Sequence, residues 1–123
     1  SNAYAWLLID RLAEKLRIPK TEIYRRYIRE IGGNNETVCV TAEAADKLQS
    51  GWEHNGLGWQ TDTMPSKLPG CVRVVLYYGS STYDTAQMSR LIDLIVQDCR
   101  EQGIETLPPD KLAGMMEEWG CAK

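Results

Sequence analysis

Cys71-Val72-Arg73-Val74-Val75-Leu76-Tyr77-Tyr78-Gly79-Ser80-Ser81-Thr82-Tyr83-Asp84-Thr85 is the stretch that decides the fold. Its first half is mostly β-branched or aromatic and reads as a strand over Val72 to Tyr78. The strand is apolar on both faces around Val74–Tyr77, which places it at the centre of a sheet. Gly79 to Thr85 is a tight turn. Asp84 is a good helix N-cap, and Gln87 three residues on completes a capping box. The helix that follows carries Met88, Leu91, Ile92, Ile95 and Cys99 on one face and Asp93, Gln97 and Glu101 on another, and Gly103 closes it. Thr106, Pro108 and Pro109 announce a last amphipathic helix with Leu112, Met115, Met116 and Trp119 as its stripe and Gly120 at its end.

Upstream of the strand, Leu68-Pro69-Gly70 and Pro65-Ser66 make Met64 to Gly70 a hairpin loop. Leu57 to Met64 reads as a strand, interrupted in character by Gly58, and Asn55-Gly56 as a turn. Thr41 caps a helix over Ala42 to Trp52, with Ala42, Ala45, Leu48 and Trp52 on one side. Thr37-Val38-Cys39-Val40 is a short strand before it. At the N-terminus a helix over Tyr4 to Leu16, with Trp6, Ile9, Ala13 and Leu16 as its stripe and Leu8 and Leu12 widening it, breaks at Arg17-Ile18-Pro19. Thr21 then caps a second helix, Glu22 to Ile31, with Ile23, Tyr24, Tyr27, Ile28 and Ile31 turned inward and Gly32-Gly33 at its end. The expected architecture is α+β: an N-terminal helical hairpin, a small mixed or antiparallel sheet of about three strands, and two C-terminal amphipathic helices. The 123 residues are expected to make one domain over 4–123, and Ser1-Asn2-Ala3 has the look of a remnant of tag removal.

No apolar run approaches the ~20 residues of a membrane span, and charged Asp10 and Arg11 come too early for a signal peptide. The four cysteines, Cys39, Cys71, Cys99 and Cys121, form no C-x-x-C pair and read as small buried hydrophobes of a reducing cytoplasm. A zinc site from Cys39, His54 and Cys71 lacks the short-loop spacing that gathers ligands. Asp93 and Glu101 lie about 12 Å apart along a helix, too far to share an ion. His54 is the only histidine and has no nucleophile motif beside it. These residues suggest no catalytic group, cofactor or metal.

Charge is more informative. Residues 11–29 carry seven Lys or Arg against two Glu, a local +5 that leaves −8 for the rest of a chain of net charge −3. Arg25, Arg26 and Arg29 fall on one side of the second helix, with Arg17 and Lys20 close in sequence, and this is the expected nucleic-acid surface. Trp52 and Trp59 are candidate stacking platforms for single-stranded bases. Leu12 to Arg25 also has the rhythm of a helix-turn-helix, except that Arg17 stands where the turn usually has glycine and Arg26 where a recognition helix usually buries an apolar residue. The Gly79–Thr85 turn, with Ser80, Ser81, Thr82 and Tyr83, is a second candidate site, for an anion at a helix N-terminus. The Asp84 carboxylate opposes that use.

Tyr78-Gly79-Ser80-Ser81-Thr82-Tyr83-Asp84-Thr85, Met88-Ser89-Arg90-Leu91-Ile92-Asp93 and Gly103-Ile104-Glu105-Thr106-Leu107-Pro108 resemble a group of small proteins encoded by phages and prophages of Gram-positive bacteria, and Tyr4-Ala5-Trp6 through Gly33 has the same look. The order of features is more distantly similar to the NinB (Orf) family of lambdoid phage recombination proteins. That resemblance implies a non-enzymatic homodimer in the cytoplasm of a bacterial host cell. It would bind single-stranded DNA and a single-strand-binding protein and help to load a recombinase. The alternatives are a prophage protein-interaction module that binds no nucleic acid, and a helix-turn-helix-like DNA binder.

Overall fold

The strand Cys71–Tyr77 (β3) is central, as its two apolar faces require. In the computed structural model, which describes residues 2–107 and Lys111, it lies between Asn35–Thr41 (β1) and Thr61–Pro65 (β2) in a sheet of order β1-β3-β2. Both pairings are antiparallel, with Asn35 opposite Tyr77, Thr41 opposite Cys71, and Thr61 opposite Leu76. Four helices complete the described chain: Asn2–Leu16 (α1), Lys20–Glu30 (α2), Ala42–Glu53 (α3) and Thr85–Glu101 (α4). The fold class is α+β. The expected final helix lies outside the described residues.

Side chains alternate across a strand, and the alternation divides the interior in two. Val72, Val74 and Leu76 meet α3 through Ala45, Leu48 and Trp52, with Val38 and Val40 of β1 beside them. The larger core is helical: Leu8, Ile9 and Leu12 of α1, Ile23, Tyr24, Tyr27 and Ile28 of α2, and Leu91, Ile92, Ile95, Val96 and Cys99 of α4. Tyr77, on the opposite face of β3 from Leu76, packs against this second core.

The turn before α4 forms as its residues dictate. Ser80–Thr82 is one turn of 3₁₀ helix, the Asp84 carboxylate accepts from the Gln87 N–H at 2.8 Å, and the Gln87 side chain returns the bond to the Asp84 N–H at 3.1 Å. Thr41 likewise caps α3 by accepting from the Ala44 N–H at 3.2 Å.

Four expectations are corrected. Thr21 does not cap α2. The helix begins at Lys20, and the Pro19 carbonyl takes the Glu22 and Ile23 N–H groups at 3.0 and 3.2 Å. The fully buried stripe of α1 is Ala5, Leu8, Ile9 and Leu12, with Trp6 and Ala13 half-buried against the same core, and of the expected stripe Leu16 alone is exposed. That stripe is rotated because α1 packs against both α2 and α4, which meet it from two sides. β2 starts at Thr61 and not at Leu57, because the preceding residues wind as turns, with the Trp59 N–H bonded to the Gly56 carbonyl at 3.1 Å. Of the described cysteines only Cys99 is buried; Cys71 is half-buried, and Cys39 is exposed on the edge strand β1.

Arg17 joins α1 to α2 in the left-handed region, at φ 58°, with its N–H on the Ala13 carbonyl at 2.9 Å. A side chain there costs about 1–2 kcal/mol. Arg17→Gly removes that cost but gives back some unfolded-state entropy. It should raise the unfolding free energy by a net ~0.5–1 kcal/mol, and an unchanged or lowered urea midpoint would refute the reading of the turn.

Burial also sets an alkaline limit. It pushes the Cys99 thiol from its ordinary 9.0 up to about 11. It raises the Tyr27 hydroxyl too, which donates to Asp98 at 2.6 Å. The folded chain then holds protons that the unfolded chain releases. Stability should be full below about pH 9 and fall as the pH rises towards 11, by on the order of 2 kcal/mol from Cys99. Denaturation curves at pH 8, 9, 10 and 10.5 check this.

Candidate nucleic-acid interface

The inward stripe of α2 leaves Thr21, Glu22, Arg25, Arg26 and Arg29 on its outer side. Three of these, Arg25, Arg26 and Arg29, line one shallow depression of about 330 Å³ together with Pro19, Thr21, Glu22 and Gln60. The structure therefore gathers the three arginines singled out in the sequence. Arg17 and Lys20 lie outside the depression: Arg17 stands exposed in the interhelical turn, and the Lys20 ammonium is 3.6 Å from Asp10.

The three arginines differ in how firmly they are held. Arg26 is bonded to Glu22 at 3.1 Å, an exposed pair one helical turn apart. Arg25 donates to the Leu57 carbonyl at 2.8 Å. Arg29 is the most committed. Its Nε donates to the buried Gln60 amide oxygen at 2.8 Å, its Nη1 pairs with Asp62, and its guanidinium lies 5.2 Å from the centre of the Tyr77 ring. The bond to Asp62 raises its already high pKa further. Arg29 thus fastens α2 to β2 and β3 while keeping a partly exposed edge.

Gln60 was not apparent as a key residue in the sequence. It is 2% exposed, accepts from Arg29, donates to the Arg25 carbonyl at 2.9 Å, and takes the Tyr77 N–H on its own carbonyl at 2.8 Å. A glutamine between Trp59 and Thr61 was the available signal, since it interrupts an otherwise strand-like stretch with a group that needs partners.

These contacts bear on the helix-turn-helix reading. The left-handed turn is present despite the missing glycine, and Arg26 is exposed and paired with Glu22. One flank of α2 is covered by the 57–62 segment through Arg25 and Arg29.

The second candidate site is mostly closed. The Ser80 hydroxyl sits 2.6 Å from the Tyr24 hydroxyl and donates to Asn2 at 3.1 Å, while the Ser80 N–H donates to the Tyr24 oxygen. Thr82 returns its hydroxyl to the Gly79 carbonyl at 2.9 Å. Tyr83 is buried, with its hydroxyl accepting from the Asn34 amide at 2.6 Å. With Asp84 on the helix N-terminus, the turn is a scaffold whose donors are used internally. Ser81 alone of the four side chains is both exposed and without a hydrogen bond to a described residue.

Ser81 also lies on a different concavity. Asn2 and Trp6 from α1, Tyr24 from α2, Asn55 to Trp59, and Gly79 to Ser81 surround a cleft of about 190 Å³. Trp6 stacks on Tyr24 with ring centres 4.5 Å apart, and Trp59 meets Trp52 and Tyr78 edge to face. Two glycines make this packing possible. A Cβ on Gly79 would stand 2.6 Å from Trp59 Nε1, and one on Gly58 would stand 2.8 Å from the Tyr24 hydroxyl. Trp59, expected as a stacking platform, is therefore at the cleft, whereas Trp52 is turned under the sheet with its N–H on the Tyr77 carbonyl at 2.7 Å.

Among the described residues no three His, Cys, Asp or Glu side chains gather where they could hold a metal ion, and no helix is long and apolar enough to cross a membrane. No protein-family model, no curated protein and no solved structure matches the chain.

The difference between the arginines can be measured. Arg29→Ala strands the buried Gln60 oxygen and should lower stability by about 1–3 kcal/mol. Arg26→Ala removes only an exposed pair and should change stability by less than ~0.5 kcal/mol. Equal losses in urea denaturation would show that Arg29 is not the fastener.

Proposed function

We propose that the chain is a non-enzymatic accessory of phage-type recombination or replication that holds single-stranded DNA along α2, acts as a homodimer, and works beside a single-strand-binding protein. The observation that carries the DNA part is the convergence of Arg25, Arg26 and Arg29 on one depression. A concave group of guanidinium donors suits the phosphates of a flexible strand. The covered flank of α2 favours a single strand over major-groove reading of a duplex, because a recognition helix must stand clear of its own fold. The dimer, the partner protein and the lack of catalysis rest on the resemblance described above.

One observation favours a second reading, a protein-interaction module that ignores nucleic acid. Lys20, Arg26 and Arg29 each already face a carboxylate, at Asp10, Glu22 and Asp62. A strand must compete with these pairs, and on a chain of net charge −3 that competition is uphill.

Anisotropy of a labelled oligo-dT separates the two. Binding should be measurable at low salt and weaken linearly in log–log form as salt rises. Replacing Arg25 and Arg26 by glutamine, with Arg29 kept to preserve the fold, should reduce the salt slope by about 1.4, at about 0.7 for each lost phosphate contact. Absence of wild-type binding at low salt would leave the protein-interaction reading standing.

A further inference from the structure

We infer that the cleft between Trp6 and Trp59 seats one nucleobase of the strand whose phosphates lie on Arg25 and Arg26; this rests on the single-stranded DNA reading above and adds a base site to it.

The cleft and the arginine depression are neighbours, joined at two points. Arg25, on the depression, holds the carbonyl of Leu57, which lies on the cleft, at 2.8 Å. Trp59, on the cleft, is followed directly by Gln60, on the depression. The two concavities differ in chemistry. The depression carries three guanidinium groups, whereas no residue lining the cleft is charged. A cationic groove with a neutral aromatic recess beside it matches a single strand, in which anionic phosphates alternate with uncharged planar bases.

Size and polarity also fit. The recess of about 190 Å³ is of the same order as the ~150 Å³ cavity that accepts a benzene ring, space enough for one base-sized ring. Neither the Trp6 nor the Trp59 indole N–H has an acceptor among the described residues, and the Ser81 hydroxyl is equally open. These groups can meet the carbonyl and ring-nitrogen acceptors of a base, while Leu57, 41% exposed, supplies an apolar lip. The close seating of Gly58 on Tyr24 and of Gly79 on Trp59 means that the recess is already formed in the folded chain.

The test compares oligo-dT with an abasic tetrahydrofuran oligomer of the same length and charge. Stacking of one base predicts tighter binding of oligo-dT by about 5-fold or more. Ser81→Trp, which fills the recess from its exposed rim, should bring oligo-dT down to the abasic level and leave abasic binding unchanged. Photo-crosslinking of the wild-type chain to a 5-iododeoxyuridine oligomer should place the adduct on Trp6, Tyr24 or Trp59, and this measurement does not depend on the variant folding. Equal binding of the two oligomers, or adducts elsewhere, overturns the base site and leaves the phosphate reading intact. Binding of neither oligomer overturns both.

Discussion

The structure depends on one buried amide. Gln60 joins α2 to the sheet by accepting from Arg29, donating to the Arg25 carbonyl, and receiving the Tyr77 N–H on its backbone. Each bond satisfies a group that would otherwise be stranded, and a buried amide is worth its place only when all of its partners are present. The helical core and the α3–sheet core are separate clusters of apolar side chains. Gln60 and the Arg29–Asp62 pair supply a polar joint between the layers that house them, so the pitch of α2 against the sheet is fixed by hydrogen-bond geometry as well as by packing.

The same joint gives the outer face of α2 its character. A helix with three arginines on one side would ordinarily present three mobile cations. Here Arg29 is held at its Nε and Nη1 and Arg25 is held at the 57–60 turn, while Arg26 keeps only an exposed partner. Ordered guanidinium groups lose less entropy on meeting a ligand than free ones do, and the carboxylates that order them also lower the local positive charge. Any affinity of this surface for an anionic strand would be a balance of preorganisation against neutralisation, with salt acting on both.

Much of the fold was legible in the sequence because its strongest signals are local. The apolar run Val72–Tyr77, the Asp84/Gln87 box, the Thr41 cap and the stripe Ile23–Ile31 each depend on neighbours a few residues away, and each stands where its chemistry places it. The errors arose where distant segments meet. Leu57 to Gln60 looked strand-like, but contact with Tyr24, Arg25 and Arg29 bends it into turns. The stripe of α1 turned because two helices share its face. The basic cluster was visible as composition, but its pairing with Asp10, Gln60 and Asp62 was not, since nothing in spacing links residue 29 to residue 62. Trp6 packs half-buried against the helical core, as its place in the stripe implies. Its role at the cleft appears only when residues 55–59 and 79–81 are brought beside it.

The strand order β1-β3-β2 has a consequence for how the chain assembles. β2 and β3 are joined by the short 66–70 loop, so their pairing closes cheaply and early. β1 precedes both, yet it lies on the far side of β3, and its pairing closes the longer 42–70 excursion through α3 and the hairpin at a higher entropic cost. Both β1 and β2 have an outer edge, but β1 is rich in Thr and Val and has no proline, whereas β2 ends its edge at Pro65. The outer side of β3 is thus a place where β1 of the same chain competes with the equivalent strand of a neighbouring chain.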